Sequence, residues 1–322
     1  MRRSLAVQLV VAAAAAAISV PVFPQTYPSK PIRKVLTIAG GGEANARIVA
    51  ERLGQLLGVP ILVESQAGAG GSIGATTVAR AAPDGYTILY GTTGAMILRP
   101  FLVKDMPYDT LRDFTPISRL GNATGGIAAN RDMPFNTLKE MIDYAKRNPG
   151  KVSYGSSGTG TTQHLAGVMI AQLTGADLVH VPYKGAPPAV TDLLGGRIQL
   201  VLTTMSTITP LVKAGKVKLL AIDEDRRMPQ FAGVPTVFEE LPGYDRLASW
   251  FGYFGPAGLP QPIVRRLATE IDRAAHTPSV KDKLESVGSL INTLPAEKFG
   301  EELKRQFEIA ARQMKAAGVR PE

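Results

Sequence analysis
The chain has 322 residues, 45% hydrophobic and 20% charged, the composition of a folded globular protein with material for about two domains. It has no cysteine and three scattered histidines, His164, His180 and His276, which excludes disulfides, thiolate metal centres and cysteine nucleophiles, and argues against a zinc cluster. The net charge of +9 is spread without a run of basic residues and aromatics are 6%, so nucleic acid is not an expected partner, while small anions are mildly favoured.

Arg2 and Arg3 precede an apolar stretch over residues 5–20, interrupted only by Gln8 and Ser19, and Pro21 and Pro24 stop any helix. This is the pattern of a secretory signal peptide. It is short and alanine-rich for a membrane span. Cleavage is expected around residues 19–26, with 1–25 taken as the signal peptide, and a soluble, exported, periplasmic mature protein follows.

Val35–Ile38 reads as a buried strand, followed by the glycine run Gly40–Gly42 and Glu43. A helix follows, with Ala46, Val49, Leu53, Leu56 and Leu57 at helical spacing and Gly58 past its end. Ile61–Val63 is a second strand, Gly68-Ala69-Gly70-Gly71-Ser72 leads into a helix to about Ala81, and Pro83-Asp84-Gly85 turns into a third strand at Thr87–Tyr90. This β-α-β-α-β order implies a parallel sheet covered by helices. The pattern then restarts. Thr137 and Glu140 open a helix as a capping box, and strands are predicted at Val152–Tyr154, Leu178–Pro182, Ile198–Leu202 and Lys218–Ile222, with helices between them. The C-terminal part is mostly helical, with a long amphipathic helix from about Ala296 to Ala316. Two such sets predict an α/β fold of two similar lobes.

Two strand–glycine-loop–helix units stand out, at 35–57 and 152–173. A helix N-terminus offers free N–H groups and the positive end of a dipole, and glycine lets backbone approach an anion. Two such units facing each other could grip one anion from both sides. Neither is a cofactor fingerprint: Ile73 stands where a dinucleotide loop needs glycine, the 155–160 loop spaces its glycines as G-x-x-G-x-G, and no phosphate-binding lysine motif occurs. No cofactor or metal is expected. Ser157 lacks nucleophile-elbow spacing, since position 159 is threonine, and His164 has no identifiable carboxylate partner, so an enzyme is not expected.

Motifs carry the reading further. They include Tyr27-Pro28-Ser29-Lys30-Pro31-Ile32-Arg33, Gly68-Ala69-Gly70-Gly71-Ser72-Ile73-Gly74, Ala82-Pro83-Asp84-Gly85-Tyr86-Thr87 and Tyr154-Gly155-Ser156-Ser157-Gly158. Further on are His180-Val181-Pro182-Tyr183-Lys184-Gly185, Thr191 to Gly196, Leu241-Pro242-Gly243-Tyr244 and Ser249-Trp250-Phe251-Gly252. In this order, over nearly the whole mature chain, they resemble the Bug family, periplasmic solute receptors of tripartite tricarboxylate transporters. The resemblance implies a type II-like periplasmic binding fold: two lobes, each a mostly parallel sheet flanked by helices, closing like a Venus flytrap on a small carboxylate. It also implies membrane transporter subunits as partners, or a sensor protein in an alternative signalling role. A carboxylate-processing enzyme on the same fold is a remoter alternative.

The first loop departs from the family's proline-containing pattern, reading Thr37-Ile38-Ala39-Gly40-Gly41-Gly42-Glu43-Ala44-Asn45, and Gln199 and Thr203 stand where the family often has aspartate. Expected domains are 26–123 with 224–322 for lobe 1 and 124–223 for lobe 2, with a monomer as the expected state. Expected ligand contacts are Ser156, Ser157, Gly158 and Thr159 as carboxylate donors, with Thr161 and Thr162 at the same helix start. Gly42, Glu43, Ala44 and Asn45 are expected on the opposite lip, and Thr92, Thr93, Thr203 and Thr204 on the walls. The ligand is expected to be an aromatic, dicarboxylic or amino acid.

Overall fold
The computed structural model describes residues 27–244, 247–287, 289–316 and 321. The expected signal peptide, residues 1–25, lies outside the described residues. Strand β1 (Ile32–Leu36), helix α1 (Gly41–Leu57), β2 (Ile61–Ser65), α2 (Ser72–Ala79) and β3 (Thr87–Thr92) follow in chain order. β1 runs parallel between β2 and β3, with Ile32 opposite Ile61 and Arg33 opposite Thr87. α1 exists because Ala46, Val49, Leu53 and Leu57 line one face and are all buried. It ends where Gly58 takes the left-handed conformation and its N–H reaches the Gly54 carbonyl.

The chain then forms β4 (Phe114–Asn122) and crosses to a second sheet. That sheet is built from β5 (Gly125–Asn130), α3 (Leu138–Arg147), β6 (Val152–Ser156), α4 (Thr162–Thr174), β7 (Leu178–Pro182), α5 (Ala186–Leu194), β8 (Leu200–Thr204), α6 (Met205–Lys213) and β9 (Val217–Asp223). It returns through α7 (Val237–Glu240) to β10 (Trp250–Pro256), then α8 (Gln261–Ala275), α9 (Pro278–Ser286), β11 (Leu290–Pro295) and α10 (Ala296–Ala316). The strand orders are β11-β4-β10-β3-β1-β2 and β7-β6-β8-β5-β9.

The fold is α/β with two lobes, but each sheet is mixed rather than mostly parallel. β10 runs antiparallel to both β3 and β4, and β5 antiparallel to both β8 and β9. The crossings explain this. β5 and β10 enter their sheets from the cleft, against neighbours whose carboxyl ends point toward it.

The two crossings lie side by side: Ala123 N–H donates to the Ser249 carbonyl at 2.9 Å. The return falls later than the expected 223/224 boundary. Met228, Val237 and Tyr244 are buried in the second lobe's core, and Leu247 is back in the first lobe's. The end of β9 does not release the chain because Ile222 N–H donates to the Pro235 carbonyl at 3.0 Å, which holds the following segment on the second sheet. The C-terminal helices cover the first sheet. Phe299 and Leu303 of α10 are buried with Trp250 and Phe254, and Trp250 Nε1 donates to Gln306 Oε1 at 2.9 Å.

Candidate ligand cleft
A cleft between the lobes encloses about 490 Å³ free of protein atoms, its open mouth included. The carboxyl ends of β1, β3, β6 and β8 all reach it, the usual ligand position in open α/β sheets. Its first-lobe side is Thr37-Ile38-Ala39, the loop residues Ala67, Gly68, Gly70 and Gly71, and Thr92 and Gly94; its second-lobe side is Ser157, Thr161, Thr162, Gln163, Gly185 and Thr204. Ala123, Ser249 and Phe251 close the hinge end. None of these residues is charged.

The second-lobe wall is the N-terminus of α4. Thr161 caps it: its Oγ1 accepts from His164 N–H at 3.3 Å and donates to the Gly158 carbonyl at 2.8 Å. The cap therefore uses the Thr161 hydroxyl internally, while the N–H groups of Thr162 and Gln163 sit in the first turn, where no intrahelical acceptor exists. The Ser157 hydroxyl and the Gln163 side-chain amide make no hydrogen bond to the described residues. Both are donors standing at the cleft.

On the first-lobe side, Gly68, Ala69, Gly70 and Gly71 have φ of 132°, 45°, 64° and 95°. Four successive residues in the left-handed half of φ space require glycine almost throughout. Ala69 bears the β-carbon penalty alone. Within the loop Gly71 N–H donates to the Gly68 carbonyl at 2.8 Å, and the missing β-carbons let its backbone come close to a ligand.

The lobes meet around this space. A β-carbon on Gly40 would lie 3.3 Å from Ala186 Cβ, one on Gly185 3.3 Å from Ala39 Cβ, and one on Gly94 3.3 Å from Thr161 Cα. Arg99 crosses the seam and donates to the Thr159 carbonyl at 3.4 Å. This is a closed arrangement whose edges are glycine.

Five of the residues expected at the ligand line the cleft: Thr92, Ser157, Thr161, Thr162 and Thr204. The others do not, for identifiable reasons. Gly42 is packed under Ile38 and Phe251, where a β-carbon would lie 3.0 Å from Ile38 Cγ2. Glu43 pairs with Arg47 one turn along α1, at 2.7 Å, which turns its charge aside. Ala44 is exposed, and Asn45 is buried with Nδ2 donating to Ser289 Oγ at 2.6 Å. The first lip is therefore the loop before α1, not the helix itself. Thr93 braces the return crossing: its Oγ1 donates to the Ala248 carbonyl at 2.9 Å and accepts from Trp250 N–H at 3.0 Å. Ser156 is fully buried beneath the loop, its Oγ 2.7 Å from His180 Nε2. Gly158 N–H donates to Ser156 Oγ at 3.2 Å, so that donor is already used. Thr159 is exposed at the rim, and Thr203 points behind β8, beside Asp223.

Sequence reasoning missed Gln163, the 67–71 loop as a cleft wall, and Phe251. Gln163 is the second residue of α4, a position whose N–H is free in any helix. The glycine density of 68–71 was a usable signal, but it read as the approach to α2.

A profile of the tripartite tricarboxylate transporter family receptor matches residues 45–297. The chain belongs to this family. Its relatives include BugT of Bordetella pertussis, 33% identical over 281 residues, covering 86% of both chains. They also include the UPF0065 protein in the tcbD–tcbE intergenic region of a Pseudomonas species, 36% identical over 266 residues, covering 81% of this chain and 79% of that one. Among solved structures, the periplasmic binding protein BugD is 34% identical with a TM-score of 0.86, over 92% of this chain and 100% of that one. A Rhodopseudomonas palustris protein solved with adipate is 29% identical with a TM-score of 0.87, over 92% and 100%. MatC of the same species, with bound malate, is 29% identical with a TM-score of 0.80, over 88% and 100%. Family membership accounts for the two-lobed fold. Among the described residues no helix is long and apolar enough to cross a membrane.

Proposed function
We propose that this receptor captures a small carboxylate, most simply a dicarboxylate, in the interlobe cleft in the periplasm and presents it to the membrane subunits of its transporter. The observation that carries this reading is the cleft itself. It is closed and free of charged side chains, yet it is walled by a capped helix N-terminus and by neutral donors without partners. A carboxylate there is stabilised by the positive end of the α4 dipole and by hydrogen bonds to Ser157, Thr162 and Gln163. Such neutral partners avoid the cost of burying a fixed countercharge. The adipate and malate of the neighbouring structures are the chemistry such a cleft suits. Ile38 and Phe251 supply an apolar wall for the ligand's carbon chain.

In this reading residues 27–123 and 247–316 form one lobe and 124–244 the other, and closure over the ligand buries polar groups that must find partners. A ligand that leaves them unpaired is penalised.

The test is a thermal-shift panel of mono-, di- and tricarboxylates, aromatic acids, amino acids, sugars and amines. A ligand at 100 times its dissociation constant stabilises by about 2.7 kcal/mol. Stabilisation confined to carboxylates supports the assignment. Stabilisation by a sugar or amine alone rejects it.

A further inference from the structure
The loop 156–161 rests on two imidazoles. His164 of α4 and His180 of β7 stack with ring centroids 4.1 Å apart and an interplanar angle of 29°, and Tyr154 of β6 lies 4.9 Å from the His180 ring. Each histidine holds one atom of the loop. His180 Nε2 is 2.7 Å from Ser156 Oγ, which in turn accepts from Gly158 N–H and donates to the Gly158 carbonyl, each at 3.2 Å. Gly160 N–H donates to His164 Nδ1 at 3.3 Å.

We propose that His164, backed by His180, is a positioning residue that must be neutral to hold loop 156–161 in its anion-binding shape, so that its protonation releases the loop and weakens carboxylate binding. This inference rests on the carboxylate-cleft reading above.

The hydrogen bond to His164 decides the argument. Nδ1 can accept from Gly160 only if it carries a lone pair, which fixes the ring as the neutral Nε2–H tautomer. A protonated ring would set N–H against N–H, and the Gly160 amide would have to turn away. Stacking adds to this, because two imidazolium rings at this separation repel.

The surroundings supply little to hold a cation. Tyr154 faces the pair from β6, and its hydroxyl donates to the His164 carbonyl at 3.1 Å. Arg99 reaches the far side of the loop from the first lobe. Asp177 and Lys184, which flank β7, are exposed. Among the described residues no ion pair involves either histidine. Burial, and secondly the charge of His164, pushes His180 down to about 4; burial also lowers His164 below its ordinary value. Both are neutral at pH 7, and binding weakens as pH falls below about 6.5, the ordinary histidine value, and His164 takes up a proton. A bound carboxylate would pull the other way, favouring the cation, so the sign of the pH dependence discriminates between the two roles.

Substitutions isolate the effect. His164→Asn places an amide oxygen about where Nδ1 stands but does not titrate, and His180→Gln keeps a partner for Ser156 in the same sense. His164→Ala leaves the Gly160 N–H unpaired. Calorimetric titration with succinate and with adipate from pH 7.5 to 4 reads the affinities. The proposal expects wild-type affinity to fall at least about fivefold more over this range than that of the His164→Asn/His180→Gln double variant, a comparison that cancels titration of the probe itself. At pH 7.5 it expects the double variant to stay near wild type and His164→Ala to lose about five- to a hundredfold. Equal pH profiles, or an affinity that rises on acidification in the wild type alone, would overturn the proposal. Nitrogen-15 NMR of the ligand-free protein tests the pair separately from the cleft. It should show the Nε2–H tautomer of His164, and a Gly160 amide signal that follows the titration of His164. If neither dicarboxylate binds, the dicarboxylate assignment fails and the titration is repeated with the carboxylate that the panel selects; a Gly160 signal indifferent to His164 sinks the pair whatever the ligand.

Discussion

Gly94 offers the sharpest test of closure, because the three atoms nearest a methyl group added there all belong to the other lobe. Its φ lies outside the left-handed region, so alanine is conformationally acceptable. The added β-carbon would stand 3.3 Å from Thr161 Cα, 3.5 Å from the Gly160 carbonyl oxygen and 3.7 Å from Thr162 N. These are backbone atoms of the loop and helix start that wall the cleft, so they cannot rotate aside as a side chain would. Carbon pairs prefer about 3.5–4.0 Å, so the lobes must part by a few tenths of an ångström at this edge. Inserting one carbon into a packed contact costs about 1–3 kcal/mol, which predicts a five- to 150-fold loss of affinity in Gly94→Ala. An open, ligand-free molecule has no such contact, and alanine is at least as compatible as glycine with a helical backbone. Its melting temperature should therefore be unchanged or slightly raised. Calorimetry with the best carboxylate of the panel, beside melts without ligand, makes the comparison. Undiminished affinity in Gly94→Ala would refute the claim that ligand is bound with the seam shut.

Other outcomes follow from the same geometry. Ser157→Ala removes a cleft donor and should weaken binding about ten- to a hundredfold, the equivalent of a hydrogen bond to a charged group, with little change in ligand-free melting. Thr93→Val should do the reverse: it orphans the Trp250 N–H and the Ala248 carbonyl at the return crossing, lowering stability by about 1–3 kcal/mol, and it should alter affinity less than Ser157→Ala. Lys34 is fully buried between α1 and Tyr253, donating to the Ala46 carbonyl and the Tyr253 hydroxyl. Burial, with a smaller push from Arg47, takes its pKa down to about 7. The unfolded chain, with an ordinary lysine, binds the extra proton between about pH 7 and 10.5, so stability should rise with pH across that window, by up to about 1.4 kcal/mol per unit. Denaturant melts should show the slope in the wild type and its absence in Lys34→Met. Mass spectrometry of the exported protein should show loss of roughly the first two dozen residues; an intact N-terminus would contradict the leader reading.

The elements legible in the sequence are those whose signals are local. α1 declared itself by its apolar spacing and Gly58, α4 by Gly175 past its end, and α10 by a long amphipathic run. The strands at the crossings were not legible. β5 reads Gly-Gly-Ile-Ala-Ala-Asn, and β10 alternates aromatic residues with glycine. Their residues are dictated by neighbours far along the chain: Gly126 lies against Met205 and Ile208, and Gly252 against Phe299. The second-lobe half of the cleft was legible because a strand, a glycine loop and a capped helix start are contiguous. The first-lobe half was not. The glycine-rich start of α1 resembled an anion site, yet tertiary packing places Gly42 under Phe251 and pairs Glu43 with Arg47, and gives that wall to the 67–71 loop instead. Alternation along β8 likewise set Thr204 at the cleft and Thr203 behind it, which composition alone could not decide.

A crystal structure with the carboxylate that most raises the melting temperature shows where the anion sits. One ligand should lie between the lobes, with a carboxylate oxygen within hydrogen-bond distance of Ser157 Oγ and of the Thr162 or Gln163 N–H, and with Phe251 against its carbon chain. A carboxylate held away from the N-terminus of α4, or neutralised by a charged side chain drawn into the cleft, would contradict it.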